Sequence, residues 1–346
     1  MSLWTQLTLL LKLEATLSVV DNGPYVSIIT VTYNSESVIR EFLDSLSATV
    51  KTLGLDAETI IVDNASRDGT AETLRDLNGY TNLHIRLVLN RKNIGLSKAM
   101  NDALNLSRGR KILICNPDIV FTDSIGEMFK ISERIPALIL VPQLYAVNGQ
   151  LQEIIHRRFP TIISFISEVT TLKVPILSRM IARNIRYVSR EYRRPLDTIE
   201  HMSAVCMLVD RRVARRLVPF YDPAFPVYWN DVDMSKRAAN LGIRCAIVLD
   251  AKVYHELGHS VARSDPEMIA MLRYSSLGVM GYARRWNMHP NLIHAALFLD
   301  ATLRIAREIP KRYLGRRTHK ERRQGRLPTI QEAARRYILP FRCSLR

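Results

Sequence analysis

Lys111-Ile112-Leu113-Ile114-Cys115-Asn116-Pro117-Asp118 is the stretch on which the fold turns. Its apolar run reads as a buried strand. Pro117 cannot donate to a sheet ladder, so the strand stops there. Asp118 is then held at the carboxyl end of a strand, where open α/β sheets bind their ligands. One carboxylate at that edge can hold a hard cation, and the cation a diphosphate. The same residues also read as a polar turn after a core strand, and the stretch alone does not choose.

Outward from it, residues 26–142 alternate between two patterns. Val26 to Thr32 is an apolar strand, and Glu36 to Val50 has helical spacing through Val38, Phe42, Leu43 and Leu46. Glu58 to Asp63 is a second strand, and Asp68 is placed to cap a short helix through Leu77. Leu83 to Leu89 is a third strand, and Ser97 to Leu106 a helix closed by Gly109. This βαβαβαβ rhythm predicts an α/β fold with a mostly parallel sheet covered by helices. It breaks after Pro142. Residues 150–195 are basic and mixed, and read as amphipathic helix or loop. Regular structure resumes with a strand at Ala204 to Val209, a helix at Asp231 to Leu241 and a strand at Ile243 to Leu249. Helices follow over Pro266 to Trp286 and Leu292 to Ile309.

Four successive strand ends carry polar groups: Thr32-Tyr33-Asn34, Asp63-Asn64-Ala65-Ser66, Asn93-Ile94-Gly95, and Asn116-Pro117-Asp118. In a parallel sheet all four lie along one edge, which suits a nucleotide. Neither G-x-G-x-x-G nor G-x-x-x-x-G-K-[ST] is present, which disfavours a dinucleotide fold and a P-loop kinase. Downstream, Trp229-Asn230-Asp231-Val232-Asp233 opens a helix, where the dipole favours a carboxylate. Asp231 reads as functional and Asp233 as a structural first-turn residue. In Tyr254-His255-Glu256-Leu257-Gly258-His259-Ser260, His255 follows a strand and suits either a structural role or a metal or phosphate.

The net charge of +16 is uneven: residues 301–346 hold 14 Lys/Arg against 3 Asp/Glu, so this tail is a separate electrostatic object. An anionic membrane surface or nucleic acid fits it, as does a solvated tail. The apolar stretch Leu7 to Val20 is too short to span a bilayer, and Lys12 and Glu14 would each cost about 2.5–3.5 kcal/mol at its centre. It reads as an amphipathic helix without a secretory cleavage pattern. The four cysteines show no metal or redox spacing, in keeping with a reducing compartment.

In this order and spacing the motifs resemble inverting glycosyltransferase family 2, of the GT-A fold, and within it the rhamnosyltransferase-like bacterial branch. The resemblance runs from Val26 to about Ser260. It implies a nucleotide pocket lined by Thr32 and Asn34, with Asp63 on the base and Asn93 and Gly95 on the nucleoside or sugar. Asn116-Pro117-Asp118 stands for the family's Asp-x-Asp, with Asp118 holding Mg²⁺ or Mn²⁺ and His255 completing the metal site. Asp231 would be the general base. The departure is Asn116, neutral where many relatives carry Asp; an amide oxygen is the weaker ligand.

The implied domains are an N-terminal segment 1–24, a GT-A domain 25–262 with donor and acceptor halves meeting near residue 145, and C-terminal helices with the basic tail over 263–346. The implied reaction moves L-rhamnose from dTDP-rhamnose, or a sugar from a UDP donor, to a glycan or polyprenyl-linked glycan in cell-envelope polysaccharide synthesis. The enzyme would sit at the cytoplasmic face of the membrane, and its oligomeric state is open. The competing class is a basic nucleic-acid- or membrane-binding protein with a degenerate nucleotide fold. Against nucleic acid, the basic residues lie mostly outside the αβ core and no interleaved aromatic platform is present. A sugar nucleotidyltransferase would show a Gly-rich basic loop after the first strand, which Thr32-Tyr33-Asn34-Ser35 is not.

Overall fold

Val26–Thr32 forms β1 and is buried along its whole length. It pairs in parallel with β2 (Ala57–Asp63) on one side and β4 (Lys111–Cys115) on the other, and β2 pairs in parallel with β3 (Ile85–Leu89). The crossovers run through α1 (Ile39–Leu53), α2 (Thr70–Arg75) and α3 (Leu96–Leu106). Strand side chains alternate between two cores, as a sheet covered on both faces requires. Val26 and Ile28 pack with Phe42, Leu43 and Leu46 of α1; Ile29 and Val31 pack with Ala99, Met100 and Ala103 of α3. Each large apolar side chain fully buried this way contributes about 1.5–3 kcal/mol.

The structure is a computed structural model that describes residues 23–152, 158–162, 196–256, 277–296, 298–299 and 302. The amphipathic reading of the N-terminal segment, most of the basic 150–195 stretch, His259, Ser260 and the tail beyond 302 lie outside the described residues.

The chain continues through β5 (Ile119–Phe121), α4 (Gly126–Arg134), β6 (Leu138–Tyr145), β7 (Leu196–Ile199), β8 (Cys206–Asp210), α5 (Arg211–Ala214), α6 (Asn230–Asn240) and β9 (Arg244–His255). Among the described residues these join one sheet in the order β3-β2-β1-β4-β8-β6-β9-β5, with β7 added on β9. Direction reverses at β8, which runs antiparallel to β4 and β6, while β6 and β9 are parallel. Lys111 of β4 faces Asp210 of β8 in register, and their side chains form a buried ion pair at 3.2 Å. Cys115, Cys206 and Cys245 are buried and free.

The boundaries shift for local reasons. α1 starts at Ile39, not Glu36, because the Ser35 carbonyl accepts from the backbone N–H of Val38 and Ile39 in a preceding turn. α1 ends at Gly54, whose φ of 59° is the left-handed cap a glycine supplies. Gly109 does not close α3, whose cap is Ser107. Gly109 is needed elsewhere: a Cβ there would overlap the backbone of Val26 and Ser27, so only glycine lets the chain enter β4 this close to β1.

Candidate active site

The carboxyl ends of β1 and β2 are tied together before any ligand is considered. Thr32 donates to Asp63 Oδ1 at 3.0 Å, and Ser66 donates through its hydroxyl to Oδ1 and through its backbone to Oδ2. Asp63 is only 2% exposed, so its carboxylate is held by hydrogen bonds rather than by water. Asn34, in the left-handed region at φ 53°, accepts from the Arg67 backbone at 2.8 Å, and its own N–H donates to Ser66 Oγ at 2.9 Å. Thr32 is fully buried against Asp63 and acts on the edge through it.

Asn64 is the hub that sequence reading passed over. It is buried, and its Nδ2 donates to Asn93 Oδ1 at 2.9 Å. Its Oδ1 accepts from the Ile94 backbone at 3.0 Å and from Asn90 Nδ2 at 3.1 Å. Asn93 Oδ1 also accepts from Gly95 N at 2.9 Å, so the loop before α3 is pinned to the end of β2. The first turn of α3 is then clasped by the chain leading into α6. Ser97 takes the Pro226 carbonyl at 3.1 Å through its N–H and the Phe225 carbonyl through its hydroxyl, and Asn230 Nδ2 donates to Ser97 Oγ at 3.3 Å. Asn101 holds Tyr221 by both backbone groups, at 2.6 and 3.0 Å. This clasp joins the Asn93-Gly95 loop to Asn230-Asp231, two motifs far apart in sequence.

Trp229 precedes α6 with φ 71°, a conformation that bulky residues rarely hold without support. The support comes from the helix over residues 277–285. Tyr282 packs on the Trp229 ring at 5.4 Å, and a Cβ on Gly278 would strike the Trp229 ring and the Tyr228 carbonyl. Asp231, half-buried in the first turn, accepts from Val232 N at 2.8 Å. Burial pushes the Tyr221 hydroxyl well above its ordinary value, and the Asp231 carboxylate adds to the rise. Asp233 points the other way and is fully buried, bonded to Arg237 Nε at 2.8 Å, Arg285 Nε at 3.3 Å and Trp286 Nε1 at 3.2 Å. It anchors residues 285–286, and the contrast with Asp231 follows from their opposite faces on α6.

Asp118 and His255 meet because β5 pairs antiparallel with β9, Ile119 opposite His255. Asp118 Oδ2 lies 3.6 Å from His255 Nε2; both residues are buried, and Asp118 Oδ1 has no hydrogen-bond partner among the described residues. A buried carboxylate oxygen without a donor is costly, which suits a site completed by a cation. One carboxylate and one imidazole, with no thiolate, fit Mn²⁺ or Mg²⁺ whose other ligands are diphosphate oxygens and water. Among the described residues no three His, Cys, Asp or Glu side chains converge, and Asp118 and His255 are the two that meet there. Asn116 bonds through its backbone N–H to the Val205 carbonyl at 2.9 Å and is partly exposed beside the pair. Gln152, which no sequence pattern singles out, packs against His255 at the end of a turn returning from β6.

Among the curated relatives, an uncharacterized protein of Mycobacterium tuberculosis is 31% identical over 112 residues, which span 32% of this chain and 31% of that protein. The N-acetylglucosaminyl-diphospho-decaprenol L-rhamnosyltransferase of Mycobacterium tuberculosis is 25% identical over 302 residues, spanning 81% of this chain and 94% of that protein. Among solved structures, a mannosyltransferase of Pyrobaculum calidifontis in complex with GDP-Man and Mn²⁺ superposes with a TM-score of 0.51 at 17% identity, over 93% of this chain and 83% of that one. GalNAc-T7 with UDP, GalNAc and Mn²⁺ superposes with a TM-score of 0.54 at 15% identity, over 78% of this chain and 52% of that one. Both neighbours are GT-A glycosyltransferases, and the architecture is theirs. The family model for glycosyl transferase family 2 matches residues 27–218, more than half of the chain and all of the strand ends β1 to β4, and the protein belongs to that family.

Proposed function

We propose that the protein transfers a sugar from a nucleoside diphosphate donor to a hydroxyl of a glycan or polyprenyl-linked glycan, by one displacement that inverts the anomeric carbon. The observation that carries the reading is the Asp118–His255 pair, a buried carboxylate with an oxygen unpartnered among the described residues, beside an imidazole nitrogen at the carboxyl edge of the sheet. Asp118 and His255 would hold Mg²⁺ or Mn²⁺. Such an ion supplies Lewis-acid stabilisation of the charge that develops on the departing diphosphate. Asn93 and Gly95 would contact the nucleoside or sugar, a role supported by the pinning of their loop to Asn64. Thr32, Asn34 and Asp63 order the pocket floor, Asp63 through the bonds it already accepts. Asp231 is assigned the acceptor proton: it removes the hydroxyl hydrogen as oxygen attacks from the face opposite the leaving group.

For the donor we propose L-rhamnose carried on dTDP, supported by the likeness to a rhamnosyltransferase over most of both chains. The polyprenyl-linked acceptor draws support from the same relative, whose name specifies a decaprenol diphosphate. A peripheral seat on the inner membrane face accords with the tail's +11 charge and with Leu292, Phe298 and Leu299, exposed on the C-terminal helical segment. No helix of the described residues is long and apolar enough to cross a membrane. The test is nucleoside diphosphate release from a panel of dTDP-, UDP- and GDP-sugars with Mn²⁺, Mg²⁺ or EDTA, with a polyprenyl-diphosphate glycan as acceptor. Release from dTDP-rhamnose that requires acceptor supports the reading. Release from UDP-sugars alone reassigns the donor, and no release from any sugar contradicts the enzyme.

A further inference from the structure

The hydrogen bonds around His255 determine which of its ring nitrogens carries the proton. β6 continues past Tyr145 into a tight turn, where Ala146 N bonds to Gln150 O, Tyr145 bridges Leu151, and Gln152 N bonds to Leu144 O at 2.9 Å. This brings Gln152 against the last residue of β9. Gln152 Nε2 donates to the His255 backbone carbonyl at 2.7 Å, and Gln152 Oε1 lies 3.0 Å from His255 Nδ1. A carbonyl oxygen only accepts, so the amide cannot be turned round: its NH₂ must face the carbonyl and its oxygen must face the ring. An amide oxygen also only accepts, so Nδ1 must be the donor. In a neutral imidazole the proton on Nδ1 leaves Nε2 with a lone pair.

That lone pair faces Asp118 Oδ2 at 3.6 Å, with Asp118 Oδ1 buried and without a donor among the described residues. With the ring neutral, these electron-rich atoms face one another with no hydrogen between them among the described residues, an arrangement that a cation relieves. We infer that Gln152 is a positioning residue that locks His255 in the Nδ1–H tautomer and so presents Nε2 as an electron-pair donor beside Asp118. The inference rests on the reading of that pair as a cation site. It assigns Gln152 the role that an outer hydrogen-bond partner has for a metal-binding histidine, where loss of the partner typically lowers metal affinity by about 10–100-fold.

The experiment uses the full chain with ¹⁵N-labelled histidine, metal-free at pH 8, in long-range ¹H–¹⁵N correlation spectra. A His255→Gln variant assigns the signal among the eight histidines. Mn²⁺ binding is followed separately by the EPR signal of the free ion in the presence of dTDP. The wild type should show Nδ1–H. Gln152→Leu should shift His255 toward Nε2–H and weaken Mn²⁺ binding by about 10–100-fold. Gln152→Glu keeps an acceptor for Nδ1–H while giving up the bond to the carbonyl, and should retain the tautomer and most of the affinity. A merely structural Gln152 would lose equal stability in both variants without separating them by tautomer. Nε2–H or a doubly protonated ring in the wild type, or an unchanged tautomer in Gln152→Leu, overturns the inference. Absence of Mn²⁺ binding in a wild type that shows Nδ1–H would count against the cation site itself, and the metal-free tautomer separates that failure from failure of the lock.

Discussion

Asn64→Asp changes one atom and should unsettle the donor edge. The Asn64 amide cannot rotate, because its Oδ1 accepts from the Ile94 backbone and from Asn90. Asn93 cannot rotate either, because its Oδ1 accepts from Gly95 N as well as from Asn64 Nδ2. In the variant a carboxylate oxygen replaces Nδ2 and meets Asn93 Oδ1 across 2.9 Å, acceptor against acceptor. The lost hydrogen bond is worth about 1 kcal/mol net, and an unsatisfied buried polar group adds about 1–3 kcal/mol. Stronger bonds from Ile94 and Asn90 to a charged partner offset part of this, leaving a cost of about 2 kcal/mol. If the ionised form bears that cost, the new carboxyl's folded-state pKa is raised above its unfolded value.

Protonation would restore a donor toward Asn93. The deficit is therefore full above the raised folded-state pKa, shrinks as pH falls through it, and is gone below the unfolded value. Urea unfolding of variant and wild type at a series of pH values measures this directly. A deficit below about 0.5 kcal/mol at pH 7.5, or one that does not shrink on acidification, would refute the hydrogen-bond assignment around Asn64.

The anchoring of residues 285–286 gives a second prediction. Asp233→Ala removes the buried carboxylate shared by Arg237, Arg285 and Trp286 Nε1; Arg237 keeps the Pro219 and Phe220 carbonyls and Arg285 keeps Asp222, so the variant should cost about 1.5–3 kcal/mol and open the segment over residues 277–296 to limited proteolysis; wild-type protease resistance would count against the anchor. Acid stability gives a third. Burial opposes ionisation of Glu58, Asp68, Asp210 and Asp222, but hydrogen bonds and neighbouring cations outweigh it, from Ser27 and the Arg108 and Gly109 backbone at Glu58 and from Arg212 and Lys111 at Asp210. All four carboxyls are held below their ordinary values. Their contribution is complete above about pH 4.5 and is lost as pH falls further through the depressed values, so the unfolding midpoint should drop steeply only there; a flat profile down to pH 3 would contradict it.

The half of the fold built on β1 to β4 was legible because both faces of β1, β2 and β4 are buried, which makes continuous apolar runs such as Ile28-Ile29 and Ile112-Leu113-Ile114. The other half was less so. β5 has three residues, β6 is interrupted at Pro142, where its register with β9 shifts, and β7 follows a basic stretch without clear periodicity. β9 was cut short at Leu249 because Asp250 and Lys252 look like an exit. The strand continues with Ala251, Val253 and His255 buried in alternation. That period-2 signal was present in the sequence and would have turned His255 inward. Asp118, Asp231 and Asp233 were visible as carboxylates at element ends, and the split between the last two follows from helix faces. Asn64 and Gln152 were not marked, because an amide that organises a loop and an amide in a turn are the same residue type until their partners are known.

The measurement that bears most directly on the account is Asp231→Asn assayed twice, for Mn²⁺-dependent nucleoside diphosphate binding by calorimetry and for sugar transfer from the donor identified by the panel. The account predicts binding within about threefold of wild type and transfer lower by about 10²–10⁴-fold, the share of a positioned general base. Wild-type transfer in Asp231→Asn would remove Asp231 from the chemistry and contradict the account.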